Sequence, residues 1–239
     1  MNFDNGLPVG DPVPDPTPAG FPGGGPWPGR TITLREVDPE RDAEPLFEAS
    51  HGSADKLAIW TYMPACGPFE DVAACGAWLA DVRTRANTRF LAVVDNATGK
   101  AAGMAAFLNV MPTMRCLELG FIWYTPALQR TAANTEAMRI MMGEAFDTLG
   151  YRRVEWKCDA LNARSKTAAV RLGFRYEGRF LQHLIVHDRN RDTDWYALLD
   201  HEWPRVRRHL DTWLIATGDR PSLSAMNADP GAGDSGPPA

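Results

Sequence analysis

The chain is poor in lysine. Of its 25 basic residues only Lys56, Lys100, Lys157 and Lys166 are lysines, and the rest are arginines, whose planar fork suits phosphate and carboxylate ligands. It also lacks a basic excess: 30 acidic residues give a formal charge of −5 and a pI near 5.6. That balance excludes the electrostatic footprint of a general nucleic-acid binder and long-range attraction to anionic lipid, so neither nucleic acid nor membrane is expected as a partner. No apolar run approaches the roughly 20 residues needed to cross a bilayer, and the N-terminus has neither a basic n-region nor an apolar h-region, which predicts a soluble, cytoplasmic protein. Cysteine is sparse. Cys66, Cys75, Cys116 and Cys158 form no C-x-x-C pair, which argues against a disulfide framework and against a cysteine zinc site and predicts free, mostly buried thiols. His183 and His187, read on one side of a strand, and His201 and His209, read on the last helix, do not supply the ligand set that zinc needs; no metal is expected.

What is abundant is unevenly placed. Residues 1–29 hold eight Pro and seven Gly and read as an extended arm that Leu7, Val9, Phe21 and Trp27 pin to the surface. Residues 218–239 have the composition of a disordered tail. Between them, residues 30–217 have the size of one domain, and a chain that is 44% hydrophobic can give it a core.

Periodicity within that domain predicts a strand at 31–35, helices at 45–50 and 73–82, a hairpin of 90–95 with 102–108, and a strand at 117–124. A long helix follows over 132–149, then a strand at 153–158 and a helix at 165–172. Strands at 180–186 and 195–199, joined by the run Asp188–Asp192, and a helix at 202–214 complete the domain. Antiparallel strands followed by a crossover helix imply a mixed α/β sheet with one parallel pair in its middle.

The segment from Leu117 to Phe146 is strand, short loop, long helix. Such a helix start presents unpaired N–H groups and a positive dipole end to a phosphate. After it come Asn162-Ala-Arg-Ser165, Leu172-Gly-Phe174, Glu177-Gly178 and Glu202-Trp203. In this order these motifs resemble the GNAT superfamily of acyl-CoA-dependent N-acyltransferases, and within it the bacterial enzymes that acetylate the N-termini of ribosomal proteins. The resemblance runs from about Thr31 to Trp213. It implies a mostly antiparallel sheet with a central splayed parallel pair, flanked by helices, and acetyl-CoA as cosubstrate without a metal. The pyrophosphate loop of pattern Q/R-x-x-G-x-G/A falls on Gln129, Arg130, Thr131, Ala132, Ala133 and Asn134 and runs into Thr135. It departs from the pattern at Ala132 and Asn134, where the family usually has glycine; asparagine tolerates left-handed backbone, whereas the Ala132 Cβ crowds a close phosphate.

Amine attack on a thioester needs a proton acceptor, a donor to the developing oxyanion and a proton for the leaving thiolate. The resemblance assigns the oxyanion donor to a backbone N–H of Phe121, Ile122 or Trp123, a pantetheine contact to Asn162 and the proton donor to Ser165. Asn162 is equally a good helix cap with Ser165 in the first turn. For the base, Glu118 comes first and Glu155 second, with an interior ion pair to Lys157 as the competing role for Glu155 and water-mediated deprotonation as the remaining route. By period-two alternation Glu118 shares a face with Gly120, Ile122 and Tyr124. The acceptor is an amine, either a peptide N-terminus or a small molecule, met by Trp60–Tyr62, Gly67–Phe69 and the loop Asp188–Asp192. A homodimer is compatible with the resemblance. The rival function is a non-catalytic acyl-CoA-binding or interaction module.

Overall fold

A computed structural model describes residues 7–63 and 66–228. Its strands are β1 Trp27–Pro28, β2 Ile32–Glu36, β3 Arg89–Asp95, β4 Ala101–Met111, β5 Cys116–Tyr124, β6 Arg153–Asp159, β7 Arg175–Val186 and β8 Arg189–Leu199. They form one mixed sheet in the order β1-β2-β3-β4-β5-β6-β8-β7, antiparallel except for β5 beside β6. The crossover that a parallel pair requires is helix α4, Ala133–Gly143, extended by a wider helical turn over Glu144–Thr148. On the opposite face lie α1 (Pro39–Ser50), α2 (Ala54–Leu57) with the tight turn Ala58–Tyr62, and α3 (Val72–Thr84). Helices α5 (Ala163–Arg171), α6 (Trp203–Ile215) and α7 (Leu223–Asn227) pack on the α4 side.

Capping explains where the first helices start. The Asp38 carboxylate accepts from the Glu40 and Arg41 N–H groups, and Asp71 accepts from Ala74 N–H at 2.8 Å. Helix α1 therefore begins six residues earlier than the predicted start, because a proline in its interior and charged neighbours hid an amphipathic turn. The sheet separates two apolar layers. Leu91, Val93, Leu117, Leu119, Val154 and Trp156 meet Met138, Met141 and Leu210 on one side, while Phe90, Ala92, Ala106 and Trp123 meet Leu46, Leu79 and Val82 on the other.

Several expectations are corrected. Strands β7 and β8 run longer than the periodicity suggested, so Asp188–Asp192 is not a loop: the turn is His187–Asp188, both with φ near +50 to +60° as a tight hairpin turn demands. His187 consequently sits in the turn rather than beside His183 on the strand. In the arm, Leu7 and Val9 stay exposed, whereas Trp27 packs on the core and Phe21 lies under the Arg89 guanidinium. The arm is held mainly by its backbone: Ala19 N–H donates to Pro112 O, Glu36 N–H to Gly24 O, and the Tyr151 hydroxyl to Gly20 O. The tail expected to be disordered from Gly218 instead carries α7, because buried Leu223 supplies an apolar anchor. Its last residues, 229–239, lie outside the described ones, as do residues 1–6 of the arm.

Candidate active site

The parallel strands pair only at Cys116↔Arg153, Leu117↔Val154 and Glu118↔Glu155. Beyond that point the remaining halves of β5 and β6 are no longer paired, and among the described residues no other strand pairs with β5 on that side. On its other side β5 carries a bulge: Met104 faces Trp123 and Ala106 faces Gly120, so β5 has one residue too many, and Phe121 takes a φ of +52°. The bulge shifts the alternation by one. Ile122 and Tyr124 therefore join the α4 side with Leu117 and Leu119, not the Glu118 face as strict period-two counting implies, and Phe121 and Trp123 pack on the α1–α3 side. Phe121, Ile122 and Trp123 thus lie where β5 is both bulged and unflanked.

The loop after β5 is built by its own polar groups. Gln129 Nε2 donates to Tyr124 O at 3.0 Å, Thr131 Oγ1 donates to Leu128 O at 2.7 Å, and Ala133 N–H donates to Thr131 Oγ1 at 3.2 Å. The left-handed residue is Arg130, with φ +62°, while Ala132 is helical at φ −70°. Neither position that usually carries glycine needs its conformational freedom here. Asn134 is helical too, and its Oδ1 accepts from the buried Tyr124 hydroxyl at 3.1 Å. The first helical bond runs from Glu136 N–H to Ala132 O, which leaves the N–H groups of Asn134 and Thr135 without an intrahelical acceptor. Ala132 offers no side-chain cap, so this dipole end is open to an anion.

Helix α5 starts beside the parted end of β6. Asn162 Oδ1 accepts from Ser165 N–H at 3.1 Å, the cap expected of it. Ser165 Oγ accepts from Trp156 Nε1 at 2.9 Å, which satisfies a lone pair and leaves the hydroxyl proton to be donated elsewhere. Across the gap the Tyr62 hydroxyl donates to Leu161 O at 3.3 Å, tying the turn after α2 to the start of α5.

The two candidate bases face each other across the last paired rung, with Lys157 between them: its Nζ is 3.1 Å from Glu118 Oε2 and 3.1 Å from Glu155 Oε2. They are not equivalent. Glu155 also accepts from Arg153 Nε at 2.8 Å; burial alone would raise its carboxyl, but Arg153 and Lys157 outweigh that and hold it below its ordinary value. Both contacts on Glu118 fall on Oε2, the second being Asn109 Nδ2 at 2.7 Å, so Oε1 of this buried carboxylate has no partner among the described residues. Gly120 keeps that oxygen approachable, since a Cβ there would lie 3.2 Å from it. Asn109 escaped the sequence reading because its placement comes from a left-handed backbone (φ +46°) where the β4–β5 register shifts. Lys157 sits under Trp195, 3.8 Å from the ring centroid, and Phe180 and His183 extend this aromatic wall along the β7–β8 hairpin.

Residues 31–175 match the acetyltransferase (GNAT) domain family. The chain belongs to the GNAT family. Among its relatives is the Bacillus subtilis protein named "Putative ribosomal N-acetyltransferase YdaF", 27% identical over 175 residues that cover 72% of this chain and 93% of the relative. A GCN5-related N-acetyltransferase from Brucella melitensis is 35% identical with a TM-score of 0.83, over 88% of this chain and 97% of that one. RimJ of Mycobacterium smegmatis, solved with CoA-disulfide, shares the fold at 21% identity and a TM-score of 0.65, over 75% of this chain and 87% of its own. This GNAT chain is thus an acyl-CoA-dependent N-acetyltransferase, and the relatives named for ribosomal proteins match the branch that its motifs resemble.

In this GNAT enzyme none of the four thiols is placed to act. All are buried, and burial pushes Cys66 up to about 12 and Cys75, Cys116 and Cys158 to about 11, far from the thiolate that nucleophilic attack requires. Among the described residues no group of three or more His, Cys, Asp and Glu side chains is arranged to hold a metal ion, and no helix is long and apolar enough to cross a membrane.

Proposed function

We propose that this chain transfers an acetyl group from acetyl-CoA to a primary amine by direct attack within a ternary complex. The observation that carries this reading is the parting of β5 from β6 immediately after Glu118↔Glu155, with the open start of α4 at the end of β5. The gap offers pantetheine an unpaired strand edge, and the loop Gln129–Thr135 offers the pyrophosphate N–H donors.

In the reaction the amine nitrogen bonds to the thioester carbon while Glu118 Oε1 takes its proton. An N–H of Phe121, Ile122 or Trp123 holds the oxyanion. The C–S bond then breaks and Ser165 supplies the proton that the thiolate needs, regaining its own from solvent; Asn162 contacts the pantetheine arm. Glu118 is the better base of the pair because one of its oxygens is uncommitted, whereas the Glu155 carboxyl is held low and is a weaker proton acceptor. Direct attack, rather than an acyl-enzyme, fits the four protonated thiols. The names of the relatives favour a peptide N-terminus over a small-molecule amine as acceptor.

The test is to incubate the protein with acetyl-CoA and a panel of N-terminal peptides and small amines, reading free thiol and the mass of each acceptor. Thiol release with stoichiometric acetylation of an amine is the expected result. A CoA complex that forms without thiol release for any acceptor would replace this reading with that of an acyl-CoA-binding module.

A further inference from the structure

Several arginines of this chain are paired with acids: Arg35 with Asp42, Arg139 with Asp211, Arg153 with Glu155 and Glu177, and Arg179 with Asp194. Two others share an aromatic ring. Arg171, the last residue of α5, and Arg220, beyond α6, lie against the same indole, with guanidinium carbons 4.6 and 4.4 Å from the Trp213 ring centroid. Arg171 is held below its ordinary value by burial and then by the neighbouring charge of Arg220, with no carboxylate offsetting either. Two guanidinium groups packed on one ring without a counter-charge among the described residues leave room for a multiply charged anion.

Their position identifies which anion. Arg171 Nη1 donates to Thr135 Oγ1 at 2.9 Å, and Thr135 is the third residue of α4, whose free N–H groups form the pyrophosphate seat proposed above. The pair therefore lies beside that seat. Helices α4 and α6 run antiparallel, Asp147 meeting Trp203 at one end and Arg139 meeting Asp211 nearer the other, which brings Trp213 to the α4 start. Arg220 is placed there by construction: α7 buries Leu223, and Asn227 donates from Nδ2 to Arg171 O at 2.9 Å while its Oδ1 meets His209 Nδ1 at 2.8 Å. Trp213 and Arg220 fall outside residues 31–175, the span that matches the family domain.

We infer that Arg171 and Arg220 form a phosphomonoester site that receives the 3′-phosphate of CoA, one ribose away from the pyrophosphate. The inference rests on the functional reading above, and its test separates the two. Binding of CoA and of dephospho-CoA, which lacks only the 3′-phosphate, is measured by calorimetry for the wild-type chain and for Arg220→Ala, an exposed position whose removal leaves the α7 anchor in place. Wild type should prefer CoA by about tenfold, as expected for a charge-assisted contact. Arg220→Ala should lose that preference by weakening CoA alone, with dephospho-CoA unchanged, and the wild-type preference should shrink as salt rises. Equal wild-type affinity for the two nucleotides, or an Arg220→Ala loss shared equally by both, overturns this inference and leaves the acetyltransferase reading standing. Failure of the wild type to bind either nucleotide overturns both.

Discussion

The most quantitative expectation concerns Glu136, in the first turns of α4. Its Oε2 accepts from Thr31 N–H at 2.8 Å, the Thr31 hydroxyl at 2.6 Å and Ile32 N–H at 3.2 Å, and its Oε1 accepts from Arg30 N–H at 2.6 Å. Gly29 makes this approach feasible, since a Cβ there would lie 2.7 Å from the carboxyl carbon. One buried carboxylate thus ties the start of the sheet to the helix whose N-terminus faces the proposed cofactor site. Burial raises its carboxyl, but the bonds from Thr31, Arg30 and Ile32 outweigh that, and the group is held below its ordinary value. The sign follows: the stabilisation is complete above the unfolded carboxylate pKa of about 4.3 and is lost as pH falls through the lower folded value. Glu136→Gln keeps the shape but turns an NH2 group toward at least one donor and removes the charge. A lost charge-assisted bond plus an unsatisfied buried N–H amounts to about 3 kcal/mol, a fall in Tm of about 6–12 °C for a domain of this size. Calorimetry at pH 7 and at pH 4 should show the gap between wild type and variant narrowing at the acid end. A variant that melts within about 1 °C of wild type at pH 7, against the expected shift, would refute the anchor.

Three further outcomes probe the catalytic reading. Glu118→Gln should lower kcat/KM by about 10² to 10⁴ and recover partly at high pH, where the amine needs less help; loss in Glu155→Gln with Glu118→Gln silent would move the base to β6. Ser165→Ala should lower kcat by at least about tenfold with CoA affinity nearly unchanged, and cost about 1 kcal/mol of stability because Trp156 Nε1 loses its acceptor; an unchanged kcat would remove Ser165 from proton transfer. Ala132→Glu should abolish CoA binding in calorimetry without lowering Tm, because an acid at a helix start favours the helix dipole while repelling a pyrophosphate; retained binding would place the phosphates elsewhere.

The elements that were legible in the sequence are those whose residues carry a strong local period or a strong terminator. Strand β5, the long helix α4 and the strand β6 fall within a few residues of their predicted bounds, because Leu117, Leu119, Met138, Met141, Val154 and Trp156 all face one apolar layer. Where the chain violates its own period, the reading failed. The β5 bulge at Phe121 reverses which face Ile122 and Tyr124 occupy, and nothing in Leu117–Tyr124 announces an extra residue, since the bulge exists only relative to β4. Likewise α7 depends on one buried leucine inside a Gly- and Pro-rich stretch, and composition averaged over the stretch conceals it.

The candidate site divides along the same line. Residues proposed to act through backbone position, such as Asn162 at a cap or Asn134 and Thr135 at a helix start, sit at element ends that local spacing marks. The choice between Glu118 and Glu155 does not, because both are carboxylates on adjacent strands at the same rung and both touch Lys157. What distinguishes them is the company of the second oxygen: Arg153, two residues away on the same strand, occupies Glu155, whereas Asn109, reaching in from β4, crowds onto the oxygen of Glu118 that Lys157 already holds. A carboxylate fixed through one oxygen and open at the other is both oriented and able to accept a proton, and that asymmetry arises from tertiary contacts rather than from any motif.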